Sequence, residues 1–161
     1  MKIKSYQGAG IAMFYNGNNG YEILLGKRSV LKDYGKWSIP GGAKERYDST
    51  FEGAAKREFY EETGVRISDI SCCKLDGLTI NFPFFKWETY FYITKEKNLS
   101  FNPREFSELK WVNIKNLKNY ELCFGVKQEV KHFERLLKKT SRIMFGINES
   151  FKRTCECPLK H

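Results

Sequence analysis

Three glutamates near the middle of the chain are spaced so that their carboxylates leave the same side of a helix. Glu58, Glu61 and Glu62 stand at positions i, i+3 and i+4, which are neighbours on a helix surface. Like charges one turn apart repel each other, and near a helix C-terminus they also face the negative end of the helix dipole. A divalent cation would neutralise such a cluster, and hard oxygen ligands suit Mg²⁺ or Mn²⁺. A solvated acidic helix end is the alternative interpretation.

The residues around the three glutamates favour the cation-binding interpretation. A Gly41-Gly42 turn follows a short strand and precedes the helix, and Gly64 follows the helix as a natural C-terminal cap. Glycine permits a close backbone approach, so the Gly42 carbonyl can be exposed to a metal. Arg57 adjoins the carboxylates, and we expect it to orient them rather than to touch substrate. An ordinary surface ion pair is the alternative role for Arg57.

This stretch resembles the Nudix box, whose pattern is G-x5-E-x7-R-E-U-x-E-E-x-G-U, where U is a bulky aliphatic residue. Its second half is matched by Arg57-Glu58-Phe59-Tyr60-Glu61-Glu62-Thr63-Gly64-Val65, and its first glycine is matched by Gly42. The preceding Trp37-Ser38-Ile39-Pro40-Gly41 is similar to the family's usual approach to the box. The resemblance implies a Nudix-type α/β/α sandwich, an α/β (α+β) fold with a mixed sheet, over positions 3–139. It also implies hydrolysis of a diphosphate linkage in a nucleoside diphosphate linked to another group X.

The resemblance implies roles for individual residues. The metal ligands would be Glu58, Glu61, Glu62 and the Gly42 carbonyl, with Mg²⁺ as the cofactor and Mn²⁺ as a possible replacement. Water would attack a phosphorus atom while a carboxylate takes its proton. Glu58 is the first choice for this base, and the second choice is Glu105 or Glu108. The predicted catalytic set is Asp48, Arg57, Glu58 and Glu61.

The first acidic position of the box departs from the family pattern. Counted forward from Gly42 it falls on Asp48, whereas counted backward from Arg57 it falls on Ser49. The segment therefore carries one extra residue. Asp48 takes the acidic role if the loop bulges, and Glu45 is a second candidate. The three helix glutamates are unaffected by this departure, which is compatible with reduced activity but does not imply its loss.

Periodicity predicts one domain of strands and two helices. A hairpin is expected because the turn Asn16-Gly17-Asn18-Asn19-Gly20 separates two apolar segments. The first helix is predicted from about Thr50 to Glu62, since its apolar residues recur at i, i+3, i+4 and i+8. The other predicted elements are strands at Gly8–Tyr15, Tyr21–Arg28, Trp37–Ile39, Leu75–Thr79, Trp87–Ile93 and Leu109–Val112, and an amphipathic helix at Val126–Lys139. Pro40-Gly41-Gly42 is expected to stop the strand before it.

Composition sets the broad class of the protein. The 161 residues suit a single domain, and no apolar run approaches the roughly 18 residues of a membrane span. The N-terminus lacks the apolar run of a signal peptide, and the five cysteines show no disulfide spacing. We therefore expect a cytoplasmic enzyme without a membrane partner. Residues 1–140 are assigned to the Nudix domain and residues 141–161 to a basic C-terminal extension, in which Cys155 and Cys157 are read as free thiols.

The identity of the substrate is the least determined feature. The net charge of +9 indicates an anionic partner, and the short chain resembles the nucleoside-triphosphate-cleaning branch, which includes 8-oxo-dGTP diphosphatases. ADP-ribose and dinucleoside polyphosphates stay open, as does the oligomeric state. Lys27, Arg28 and Phe84 are weak candidates for substrate contacts. The alternative function is a weakened nucleotide- or RNA-binding module using the basic segment Val126–Lys160, but a nucleic acid partner is not expected because the metal-binding half of the box is complete.

Overall fold

The computed structural model describes residues 5–97 and 105–146, with side chains described up to residue 140. The strands are β1 (Tyr6–Gly17), β2 (Gly20–Arg28), β3 (Trp37–Ser38), β4 (Gly41–Ala43), β5 (Cys72–Phe82), β6 (Phe85–Thr94) and β7 (Phe106–Asn113). The α-helices are α1 (Phe51–Thr63) and α2 (Val126–Gly146), and short 3₁₀ helices lie at Ile67–Asp69 and Ile114–Asn119.

The strands form one mixed sheet. Its main order is β3-β2-β1-β6-β5, with β4 also pairing β1 and β7 also pairing β2. The predicted early hairpin is confirmed, since β1 and β2 pair antiparallel up to Gly17 opposite Gly20. The expected pairing of the two later strands is also confirmed, with Leu78 opposite Thr89. β1 and β6, by contrast, run parallel.

The two helices pack on opposite faces of this sheet. Alternate residues of a strand point to opposite faces, so β1 contributes Ile11 and Met13 to one core and Ala12 and Phe14 to the other. On the first face, α1 supplies Ala54, Ala55 and Phe59. On the second face, α2 supplies Val126, Val130 and Phe133. The resulting α/β/α sandwich confirms the fold class expected from the sequence.

Local sequence signals account for the position of α1. The Thr50 hydroxyl accepts a hydrogen bond from the Gly53 N–H at 2.9 Å, so Thr50 caps the helix and Phe51 begins it. Gly64 adopts the left-handed conformation with φ 76° and donates its N–H to the Tyr60 carbonyl, as expected for a C-terminal cap. The cap places the three glutamates in the last turns of α1.

The structure corrects two predicted boundaries. β3 ends at Ser38, two residues before Pro40, and the chain rejoins the sheet directly after Pro40, because Gly41–Ala43 form β4 against β1. This close pairing requires glycine, since a Cβ at Gly41 would lie 2.5 Å from the Gly10 Cα. The second correction is that α2 continues past Lys139, its predicted end, to Gly146.

The rest of the predicted extension, including Cys155 and Cys157, lies outside the described residues.

Neither α1 nor α2 combines the length and apolar character needed to cross a membrane, and the same holds for every helix in the described part of the chain.

Candidate active site

Arg57 forms hydrogen bonds to several groups at the acidic end of α1. Its Nη1 donates to Glu58 Oε1 at 2.8 Å and to Glu61 Oε2 at 2.7 Å. Its Nη2 also donates to the Ala43 carbonyl at 2.9 Å, which ties the helix to the end of β4. Arg57 therefore holds two of the three glutamates and fixes their position relative to the glycine turn.

Asp48 completes the set of carboxylates on Arg57. It accepts from Nε at 3.1 Å and from Nη2 at 2.9 Å, a two-pronged contact that only a planar guanidinium can make. The segment with the extra residue folds into a turn in which the Glu45 N–H donates to Asp48 Oδ2 at 2.9 Å. Hydrogen bonding to Arg57 holds the pKa of Asp48 below its ordinary value. The side chain of Glu45 is on the exposed side of this turn, and Ser49 is exposed next to it.

Glu58 faces the glycine turn. A Cβ placed on Gly42 would lie 2.5 Å from Glu58 Oε2. Any residue other than glycine at this position would therefore displace the Glu58 carboxylate. Burial raises the pKa of Glu58, an effect that the hydrogen bond from Arg57 opposes. Glu58 is thus a half-buried carboxylate with one oxygen on Arg57 and the other toward the backbone of Gly42.

Glu62 lies deeper than the other two glutamates. Only 3% of its surface is exposed, and its Oε2 accepts a hydrogen bond from the Gly41 N–H at 2.7 Å. Burial raises the pKa of Glu62 to about 8, and the charges of Glu58 and Glu105 act in the same direction. A carboxyl in this position would be ionised more readily with a cation beside it.

The two candidates for a supporting base are not equivalent. The charge of Glu105, which lies just before β7, raises the pKa values of both Glu58 and Glu62. Glu108 lies within β7 opposite Lys27, and its carboxylate is 3.6 Å from the Lys110 ammonium. The structure therefore brings Glu105 towards the acidic cluster, whereas Glu108 faces a lysine of its own strand.

A cavity of about 610 Å³ opens beside the glycine turn. Of the residues predicted to contact substrate, Arg28 lines it, together with Gly41 and Gly42. Lys27 is half-buried between β3 and β7. Phe84 occupies the β5–β6 turn with φ 66° and an exposed ring. The adjacent Phe85, rather than Phe84, contributes to the cavity wall.

Sequence reasoning missed the two buried polar residues of this cavity, Ser38 and Glu129. Glu129 lies on the buried side of α2, between Val126 and Val130, and is 3% exposed. An acidic residue at a core-facing position of an amphipathic helix is a signal that the sequence does contain. Ser38 lies between two buried apolar residues on the strand that leads to the glycine turn, and its type carries no comparable signal.

The oxygen atoms around Gly42 fit a hard divalent cation. The missing Cβ of Gly42 leaves space in front of Glu58 Oε2, and a cation would offset the burial of Glu58 and Glu62. Among residues 5–97 and 105–140, no three acidic, histidine or cysteine side chains already form a cage. Arg57 holds one oxygen each of Glu58 and Glu61, so these carboxylates would turn partly away from it to bind a cation.

An α/β/α sandwich with an arginine-bound acidic helix end beside a Gly-Gly turn defines the class of Nudix hydrolases. The family model described as the NUDIX domain matches residues 5–133. The chain therefore belongs to the NUDIX domain family. This confirms the family and the fold expected from the box, and with them the class of enzyme, a pyrophosphohydrolase.

Relatives with recorded functions resemble most of the chain at low identity. An RNA pyrophosphohydrolase of Bartonella henselae is 24% identical over 142 residues, which cover 71% of this chain and 80% of that protein. The Nudix hydrolase RenU of M. smegmatis superposes with a TM-score of 0.67 at 23% identity, covering 87% of this chain and 88% of that one.

A bifunctional NMN adenylyltransferase/ADP ribose pyrophosphatase of Francisella tularensis, complexed with AMP and a Mn ion, has a TM-score of 0.67 at 19% identity. The match covers 82% of this chain and 42% of that one. At these identities the two structures establish a shared fold, and they leave the substrate open.

Proposed function

We propose that this protein hydrolyses a diphosphate linkage in a nucleotide-like substrate with the help of Mg²⁺, for which Mn²⁺ can substitute. The observation that carries the proposal is the arrangement around Arg57, which joins Asp48, Glu58 and Glu61 in front of the Gly41-Gly42 turn. A solvated helix end would not need a half-buried arginine shared by three carboxylates.

The cation would be held by Glu58, Glu61 and Glu62 with the Gly42 carbonyl. When bound, it neutralises phosphate oxygens and lowers the pKa of water. Glu62 is positioned by the Gly41 N–H, and Arg57 positions Glu58 and Glu61. Asp48 positions Arg57 in turn.

Glu58 is our first choice for the group that takes the proton from water, because burial has already raised its pKa. Glu105 is the second choice, since its charge reaches both Glu58 and Glu62. Arg28 lines the cavity next to the glycine turn and is available to a phosphate group.

A nucleoside triphosphate or modified nucleotide is the substrate class that the sequence favours. The 5′ end of an RNA is a second candidate, favoured by the name of the Bartonella relative and by the net charge of +9. This second candidate goes against our expectation that nucleic acid is not a partner. Both candidates place a nucleoside next to a chain of phosphates, so the same catalytic groups serve either of them.

A substrate panel tests this proposal. The full-length protein is incubated with the four nucleoside triphosphates, 8-oxo-dGTP, ADP-ribose, a dinucleoside tetraphosphate and 5′-triphosphorylated RNA, each with Mg²⁺, Mn²⁺ or EDTA. Chromatography of the products should show cleavage between two phosphates in either metal and none in EDTA. The proposal would be contradicted if none of these substrates is cleaved, or if cleavage is equal in EDTA. RNA binding without cleavage would support the alternative of a binding module.

A further inference from the structure

The cavity beside the glycine turn has an aromatic wall. Tyr6 and Phe85 stack with their ring centroids 5.6 Å apart and their planes 12° apart, and both line the cavity. Trp87 lines it as well, and its indole lies against β1 at Gly8, where a Cβ would come within 2.7 Å of the ring. Planar aromatic side chains of this kind bind the faces of nucleobases in a manner largely independent of base identity.

The same cavity contains a chain of buried hydrogen bonds that ends on Glu129. The Trp87 indole Nε1 donates to the Thr89 hydroxyl at 2.9 Å, and that hydroxyl donates to Glu129 Oε1 at 2.6 Å. Thr89 is fully buried and Glu129 is 3% exposed. The Trp87 N–H therefore orients the Thr89 hydroxyl toward the carboxyl group, and this hydroxyl fixes the side chain of Glu129 at the edge of the cavity.

Ser38 adds a second buried polar group to the lining of this cavity. Ser38 lies on β3 and is 8% exposed. Within the described residues, its hydroxyl has no hydrogen-bond partner. Buried hydroxyl groups are nearly always hydrogen-bonded in folded proteins. Because Ser38 lines the cavity, a ligand bound there is placed to supply the missing partner when the side chain turns toward it.

We propose that Glu129 and Ser38 bind the hydrogen-bonding edge of a nucleobase and determine which base the enzyme accepts. This inference rests on the proposed function, because it assumes that the phosphates lie at the Gly41-Gly42 end of the same cavity. A largely apolar cavity with a few fixed polar groups is typical of sites that select small molecules. Selection is strongest where a wrong ligand leaves buried polar groups unpaired.

The direction of the hydrogen bonds favours a particular base edge. Because Glu129 already accepts from Thr89, its carboxylate is suited to accept further N–H donors. Guanine presents two adjacent donors, N1–H and the N2 amino group, whereas adenine presents a single donor, the N6 amino group, beside an acceptor at N1. Burial raises the pKa of Glu129 to about 7, and N–H donors from a base would favour the ionised form. A guanine-type base is therefore the expected ligand.

Binding of nucleoside monophosphates measures this selectivity without hydrolysis. Calorimetric titration of the full-length protein with GMP and AMP should show at least about a tenfold preference for GMP. Glu129→Gln keeps the acceptor for Thr89 but presents an amide N–H₂ to the base, so the preference should shift toward AMP. The matched control is Glu134→Gln, an exposed residue of the same helix, which should retain the wild-type preference.

Ser38→Ala provides an independent variant. Because the hydroxyl has no partner within the described residues, its removal should leave the melting temperature unchanged or raised while weakening GMP binding severalfold. An RNA oligomer that begins with a 5′-phosphorylated guanosine distinguishes an RNA end from a free nucleotide as the source of the base. Glu129→Gln should weaken binding of whichever of the two ligands binds.

The proposal is overturned if folded Glu129→Gln keeps the wild-type base preference within twofold, or if the wild type shows no preference. It is also overturned if Ser38→Ala binds GMP as well as the wild type does. Failure of the proposed function has a different signature, namely base-selective monophosphate binding without cleavage of any diphosphate substrate.

Discussion

Replacing Asp48 by asparagine tests the assignment of this residue to the first acidic position of the box. The Asp48 carboxylate receives two hydrogen bonds from Arg57, at 3.1 and 2.9 Å, and its side chain is only 6% exposed. Asparagine retains one acceptor oxygen and turns an N–H₂ group toward a guanidinium that can only donate. The substitution therefore removes about one charge-assisted hydrogen bond and leaves Arg57 free to shift.

The expected magnitude follows from that lost contact. A hydrogen bond to a charged group contributes about 1.5–3 kcal/mol, which corresponds to a factor of about 10 to 100 in rate if it is needed in the transition state. Loss of a carboxylate that supports metal ligands has an effect of about the same size. We expect Asp48→Asn to lower kcat/KM by about 10- to 100-fold, because Arg57 then no longer fixes Glu58 and Glu61.

The matched control is Glu45→Gln, which changes an exposed acidic side chain in the same turn and keeps the backbone N–H that Asp48 accepts from. Both variants are assayed at saturating Mg²⁺ with the best substrate of the panel, and their melting temperatures are recorded. Glu45→Gln should stay within a factor of about two of the wild type. A greater loss in Glu45→Gln than in Asp48→Asn would refute the reasoning and reassign the acidic position.

Three further predictions concern the metal site, the C-terminus and the pH dependence of stability. Glu62→Gln should nearly abolish Mg²⁺-dependent turnover without unfolding the protein; an unchanged response to Mg²⁺ titration would exclude Glu62 as a ligand. Removal of residues 147–161, which lie beyond α2, should leave kcat nearly unchanged, and a large loss with the melting transition preserved would mean that these residues help to build the site. For Glu129, burial raises the pKa from 4.5 to about 7, so between these values the folded state holds a proton that the unfolded state releases. The contribution of Glu129 to the stability of the wild type should then fall as pH rises through this window, by about 3 kcal/mol. Chemical unfolding at pH 4.5 and pH 8 should show that Glu129→Gln loses less stability than the wild type, and an equal loss would count against a buried, protonated Glu129.

The sequence by itself determined the local elements and the identity of the charged cluster. Thr50 and Gly64 mark the ends of α1 because capping depends on residues within one turn of the helix end. The spacing of the glutamates placed them on one helix, and the order of apolar and turn residues predicted the β1–β2 hairpin. The extra residue before Arg57 could also be counted from the sequence, and one of the two counts placed the first acidic position on Asp48.

Only the tertiary structure decided which hydrogen-bond partner each of the three glutamates has. Glu58 and Glu61 share Arg57, whereas Glu62 bonds to the Gly41 N–H on a different element. That difference depends on β4 packing against β1, which requires the close approach that Gly41 permits. Helical spacing contains no information about which strand lies opposite each carboxylate.

The residues that line the cavity could be predicted from the sequence even less than the partners of the glutamates. Ser38 comes from β3 and Glu129 from α2, and both line the cavity, where Glu129 is held by Thr89 of β6 because α2 covers the sheet. Such contacts join residues far apart in the chain, and their register is fixed by core packing rather than by local periodicity. For this reason the sequence was enough to predict the residues that we propose to act on a phosphate chain, whereas the folded structure was needed to propose those that face the base.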